Sequence, residues 1–391
     1  MNFDFDRIID RRGGDSAKWN KYPGRNVLPM WVADMDFAAP PAVIDALQRR
    51  VAHGVFGYGD ILPSLDAAVV GHLAQEYAWE VEASWLVWLP GLVSGLNVAC
   101  RAVGAPGDAV FTATPIYQPF LSAPAHSGRR LVAAPLELLE PAHGGRSGWG
   151  WDFVATEAAL CAKTRLFLLC HPHNPVGRAW RDDELEQLAA LAERHDLVVC
   201  SDEIHCGLLL ESDRRHRPYA TLSAAASRRS ITLMAPSKTF NIPGLGAAFA
   251  VIPDPGLRAA FQAAMQGIVP HVNLLGLVAT EAAYGHCADW HAALLAYLRG
   301  NRARVEAAVA ELPALAMAPV EATYLAWIDA RQLAARVGNP QRYFEAAGLG
   351  LSAGLSFGGA AYSDFVRLNF GCPRATLEEA LGRLARAVRT A

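Results

Sequence analysis

Several features are missing from this 391-residue chain. No apolar run approaches the ~20 residues that cross a bilayer, so no membrane partner is expected. Neither charge dominates. The net charge is −3, which offers no footprint for nucleic acid or an anionic membrane. Cysteine is sparse: the seven present are scattered, odd in number and contain no C-x-x-C pair. That excludes a disulfide framework and points to reduced thiols in a cytoplasmic protein. The opening MNFDFDRIIDRRGG carries acids and lacks an apolar core, so it is not read as a secretory signal. Repeats, low-complexity tracts and charge blocks are absent too. Hydrophobic residues make up 52%, which excludes disorder, and the length suggests two or three domains.

What is present is an alternation of strand and helix signals from residue 86 onward. Apolar runs at 86–89, 109–113, 130–136, 165–170, 197–201, 231–235 and 247–252 read as buried strands. Between them, PGLVSGL (90–96) opens a helix and TPIYQPF (114–120) leads into another. RDDELEQLAALAERH (181–195) carries acids in its first turn and bases in its last, which suits a helix dipole. A polar, glycine-rich connection is expected over 140–150. Earlier, a helix starts at Pro40-Pro41 and runs to about His53. GVFGYGD (54–60) is a turn exposing Tyr58, and a second helix covers about 64–78. The pattern predicts an α/β fold whose large domain has a mostly parallel seven-stranded sheet covered on both faces.

The last third differs. Residues 255–311 read as helical, with Asn301 on a polar face. Strand signals at 322–329 and 365–370 flank a helix near 339–347 and a glycine-rich stretch at 348–360, and a helix closes the chain. This predicts a smaller α+β domain. MWVADMDF (30–37) fits neither period and should pack along another surface. The expected division is a large domain over 41–285 and a small one from 1–40 and 286–391.

The chemistry-bearing residues follow the strands, where ligands lie in such sheets. Lys238 sits in APSKTFN (235–241). Burial there lowers its pKa and makes its amine nucleophilic, as a lysine needs to form a Schiff base with an aldehyde; a surface loop lysine is the plainer alternative. Asp202 opens DEIHC and needs a cationic or hydrogen-bonding partner, such as a protonated pyridine nitrogen; it could equally cap a helix. Asn174 could donate to a phenolic oxygen, or belong to a plain turn. Tyr117 could stack on a ring, or fill a core. The turn into the helix at 90–96 offers the amides of Leu92 and Val93 to a phosphate, with Ser94 and Ser237 as added donors. Arg367 on an inward strand calls for a carboxylate, from a substrate or from a structural ion pair. His171, His173, His205 and Cys206 have no zinc spacing, and no metal is expected.

Taken together, FDFD (3–6), KWN (18–20), LPMWVADMDF (28–37), HGVFGYGD (53–60), PIYQPF (115–120), CHPHNPVGR (170–178), SDEIHC (201–206), APSKTFNIPGL (235–245), TYLAW (323–327) and VRLNFGCPR (366–374) span nearly the whole chain in order. They resemble the fold-type I pyridoxal-phosphate enzymes of the aspartate aminotransferase superfamily. The nearest branch is the MalY/PatB group of cysteine–sulfur β-lyases. The resemblance implies an aspartate-aminotransferase-like large domain and pyridoxal 5'-phosphate as cofactor. It implies that Lys238 holds the cofactor and then carries the proton. It also implies that Asp202 pairs with the pyridine nitrogen and that Asn174, with His205 nearby, bonds the phenolic oxygen. Tyr117 would stack on the ring, and Arg367 with Asn174 and the Ala33 backbone would take the substrate carboxylate. Tyr58 would reach the phosphate of a neighbouring subunit's cofactor, in a homodimer with shared sites. Two positions depart from the pattern. Gly246 stands where many aminotransferases carry a phosphate-binding arginine, which the close branch also lacks, and His171 stands where the branch usually has asparagine.

The implied reaction is α,β-elimination of L-cystathionine or a related cysteine S-conjugate to a thiol, pyruvate and ammonia. An aminotransferase shares every step up to the carbanion and is the rival reading. A regulatory protein that uses this fold to bind a transcription activator is another.

Overall fold

Burial on both faces explains the strand runs that dominate the middle of the chain. A computed structural model describes residues 3–139 and 148–391. Its largest sheet runs, edge to edge, through Leu86–Leu89, Ala248–Val251, Ser230–Met234, Val198–Asp202, Thr164–Cys170, Ala109–Thr114, Arg130–Leu139 and Gly148–Trp151. The five strands from Ser230–Met234 to Arg130–Leu139 are mutually parallel. Ala248–Val251 pairs antiparallel with both its neighbours, and Gly148–Trp151 pairs antiparallel with Arg130–Leu139.

The sheet therefore has eight strands where seven were expected. The addition is GWGW at its edge, inside the stretch read as a connection at 140–150. Residues 140–147 of that stretch lie outside the described residues. Glycine suggested a turn, but the period of two puts Trp149 and Trp151 on one face. They pack there against Phe365, Phe167 and Trp180.

Alternation sends successive residues of one strand to opposite helical layers. Leu166 and Leu168 join Leu96, Phe120 and Phe261, from the helices Leu92–Ala102, Gln118–His126 and Pro255–Met265. Phe167 and Leu169 join Leu185 and Leu188 of Asp182–Arg194. With both faces covered, ligand access remains at the strand ends.

A second, antiparallel sheet runs Ala316–Met317, Leu325–Asp329, Phe365–Asn369, Ser352–Ala353. Leu28–Pro29 pairs with Leu349–Gly350. Helices Ala288–Ala310 and Arg374–Arg389 pack with them in one apolar core that also takes in Phe5, Met30, Met35 and Phe37. Asn301 corrects one expectation. It is fully buried, not on a polar face, and its Nδ2 donates to the carbonyls of Phe370 and Cys372 at 2.9 Å each. Those carbonyls lie just past the end of an inner strand, so a buried amide donor is needed there.

The segment 30–37 lies against the rest of the chain, pinned by side chains rather than by a regular ladder. Asn369 Nδ2 donates to the carbonyls of Val32 and Asp34. Asn241 bonds the backbone of Met35 in both directions. Fully buried Lys18 meets Asp36 Oδ2 at 2.7 Å, and Trp19 and Arg11 complete that carboxylate's shell. Burial raises Asp36, but Lys18, Trp19 and Arg11 outweigh it and hold the carboxyl below its usual range. The net effect fixes the backbone of Ala33 over the strand ends.

Candidate active site

Three neighbouring parallel strands deliver the polar groups. Asp202 ends Val198–Asp202 and stands in register with Cys170 on one side and Leu233 on the other. Lys238 follows Ser230–Met234 by one short turn, and Asn174 follows Thr164–Cys170. Tyr117 precedes the helix Gln118–His126, and Leu92 and Val93 open the helix Leu92–Ala102. The second sheet adds Arg367, paired across its ladder with Ser352. These groups face one cavity of about 680 Å³. His205, Ser237 and Ala33 line it as well. Tyr58, expected at the phosphate of a neighbouring subunit, stands apart from the cavity: it is 99% exposed, in a loop exposed from Gly54 to Asp60.

Burial sets the charges. It lowers Lys238 to about 8, and Asp34 and Asp202 only partly oppose this. The Lys238 Nζ donates to the Ala33 carbonyl at 2.5 Å. Desolvation lifts Asp202 to about 7 against the Ile204 amide that bonds its Oδ1. Arg367 is brought down to about 10. Its Nη1 donates to Asn174 Oδ1 at 2.9 Å, its Nη2 donates to the Trp31 carbonyl at 2.9 Å, and its Nε has no partner. The guanidinium lies 4.8 Å from the Phe357 ring centre. Burial, with Lys238 and Arg367 acting the same way, takes His205 down to about 3, so its ring is neutral. Its Nδ1 is buried without a partner.

This donor set fits a flat, phosphorylated heteroaromatic aldehyde. Asp202 offers an acid that gains from a cationic ring nitrogen. The first amides of the helix at Leu92 belong to the donors that a helix start leaves unsatisfied. Lys238 is an amine close to neutrality, ready for a carbonyl. One outcome follows directly. A lysine lowered to about 8 loses its proton as pH rises through that value. Covalent capture of such an aldehyde by the cofactor-free protein should accelerate across pH 7–9, with a midpoint near 8. A capture rate flat over that range would contradict the environment described for Lys238.

The two positions that depart from the wider pattern, His171 and Gly246, lie outside the cavity. His171 packs against His216, ring centres 4.4 Å apart, and its Nε2 faces the Arg217 carbonyl at 3.2 Å. Gly246 takes a left-handed φ of 62°. Cys206 accepts from the Tyr77 hydroxyl and His173 faces the Pro115 carbonyl, each in a separate local contact. Reading the sequence missed Trp31, Ser352, Phe357 and Lys21, all on the cavity wall. Trp31 sits in the segment that no period explained. Ser352 and Phe357 lie in the stretch read only as glycine-rich.

A family model described as aminotransferase class I and II matches residues 25–384. Cystathionine beta-lyase PatB of Bacillus subtilis is 37% identical over 98% of this chain and 99% of its own. Among solved structures, that of OvoB is 47% identical with complete coverage of both chains and a TM-score of 0.94. The PLP-bound C–S lyase of Staphylococcus hominis is 29% identical, over 99% of this chain and 98% of the other, with a TM-score of 0.90.

Proposed function

The chain belongs to the aminotransferase class I and II family, and from that premise we propose that it is a pyridoxal-phosphate-dependent carbon–sulfur β-lyase. Its reaction is the α,β-elimination of L-cystathionine or a related cysteine S-conjugate. Water is consumed, and a thiol, pyruvate and ammonia leave. The observation that carries this reading is the meeting of Lys238, Asp202 and Arg367 on one cavity at the strand ends. The likeness to named cystathionine and C–S lyases over almost the whole chain supports it.

Pyridoxal phosphate, when bound, supplies an electron sink for the bond that ionises at the substrate's α carbon. Asp202 would hold the proton on the ring nitrogen. Leu92, Val93 and Ser237 would donate to the phosphate. Asn174, with His205 nearby, would face the phenolic oxygen, and Tyr117 would cover a ring face. Arg367 takes the substrate carboxylate with Asn174 beside it, in the planar geometry its fork favours. Lys238 would tether the cofactor, and its amine would take the substrate's α proton. The β carbon–sulfur bond then breaks, the thiolate leaves and is protonated, and the remaining enamine hydrolyses.

Among the described residues Arg367 is the only arginine lining the cavity. A transaminase for dicarboxylic amino acids calls for a second one, so this supports the lyase over that rival. The deciding test supplies L-cystathionine alone, with no keto acid. A lyase turns over continuously; a transaminase stops after one turnover per site.

The proposal extends to a cytoplasmic homodimer with Tyr58 reaching the neighbouring subunit's cofactor. The strongly exposed Val55, Phe56 and Tyr58 in one loop support a covered surface, and seven free cysteines suit a reducing compartment. Sedimentation of the loaded protein as a monomer would remove the dimer. Among the described residues no helix is long and apolar enough to cross a membrane. The division into 41–285 and 1–40 with 286–391 is part of the same proposal.

A further inference from the structure

With Lys238 and Arg367 assigned to cofactor and carboxylate, one cation on the cavity wall has no task. Lys21 is that residue. The chain has only four lysines, at 18, 21, 163 and 238. Lys18 is spent on Asp36, and Lys163 does not line the cavity. The Lys21 Nζ lies 4.3 Å from the Trp31 ring centre and 5.3 Å from that of Tyr22, a position held by ring quadrupoles. Glu345 is the acid whose field reaches it, but that carboxylate already accepts from Arg25 at 2.8 Å and Gln341 at 3.1 Å.

Trp31 links this cation to the substrate clamp. Its carbonyl accepts from Arg367 Nη2 and from the Ser352 hydroxyl, while its ring carries the Lys21 ammonium. Arg367 and Lys21 thus lie on two sides of one residue. The neighbouring wall is built from small side chains, Ser352, Ala353 and Ser356, which leaves width beyond the clamp. A lysine is a compact, mobile point charge and suits an anionic group whose distance varies with substrate length.

We propose that Lys21, seated on Trp31, binds a carboxylate carried by the leaving half of the substrate. The favoured substrates are then cysteine S-conjugates whose thiol fragment bears a distal acid. This rests on the lyase reading.

The test uses the pyridoxal-phosphate-loaded enzyme and two amino acids of equal length without a β leaving group, L-2-aminoadipate and L-norleucine. Calorimetric titration should show the acid binding about tenfold more tightly. Lys21→Gln should erase that preference while leaving norleucine binding unchanged, and Lys21→Arg should keep most of it. Equal affinities in the parent enzyme, or a Lys21→Gln loss shared by both ligands, would overturn the proposal. Thiol release from S-(2-carboxyethyl)-L-cysteine and S-propyl-L-cysteine is read in parallel. Release from both conjugates with no charge preference refutes the subsite and leaves the lyase standing. A Lys21-dependent binding preference with no thiol from either conjugate, nor from L-cystathionine, supports the subsite and refutes the lyase.

Discussion

Replacing Lys238 by alanine is expected to lower kcat/KM for thiol release by about 10⁴-fold or more. The reason lies in what else the cavity offers. A stand-in base must be within reach and hold a pKa near the working pH. His205 is brought to about 3 by burial, so it is too weak. The Tyr117 phenol is pushed up by the same effect and stays protonated. Asp202 already has the ring nitrogen as its partner in this account. Of these groups, the Lys238 amine, lowered to about 8, is the one that is both basic enough and free of its proton for part of the time at neutral pH. The same substitution removes the tether, so borohydride treatment should no longer fix the cofactor to the chain, as read by intact mass. Small amines added in solution should restore part of the lost rate. Activity within tenfold of the parent would remove Lys238 from the account.

Asp202→Asn should cost about 10³-fold in kcat while the cofactor is still captured covalently. Asparagine keeps the size and still accepts a hydrogen bond from the Ile204 amide, so the strand end is preserved. What it lacks is a negative charge to hold a proton on the ring nitrogen. With no cationic partner Asp202 lies at about 7, because burial penalises its ionised form. A cationic partner reverses that penalty and fixes the carboxylate charged. The variant should therefore show an altered absorbance of the bound cofactor along with the rate loss. A variant within a few fold of the parent, with an unchanged spectrum, would mean that the ring nitrogen needs no acid here.

Much of this was legible because parallel strands advertise themselves. Runs such as RLFLLC and ITLMA are apolar on both faces, and polar residues placed just after them can only sit at the strand ends. Asp202, Asn174 and Lys238 were found that way. The strand edge at Gly148–Trp151 was missed because glycine outweighed the alternating tryptophans. The helix Arg331–Val337 was missed for another reason: among its residues Leu333 alone is buried, which leaves no periodic stripe to read. Asn301 was placed on a polar face because its amide is hydrophilic. Its two carbonyl partners come from residues 370 and 372, far along the chain. Lys21, Trp31 and Ser352 were invisible for the same reason. They meet only through the pairing of Ser352–Ala353 with Phe365–Asn369 and the segment 28–37 laid across it. Local sequence carries no trace of such contacts.

The most direct measurement is product stoichiometry on the pyridoxal-phosphate-loaded protein with L-cystathionine, with and without a keto acid. The account predicts homocysteine, pyruvate and ammonia in equal amounts, with no keto acid required. Turnover that appears only with a keto acid, and without release of thiol, would contradict it and make the chain an aminotransferase.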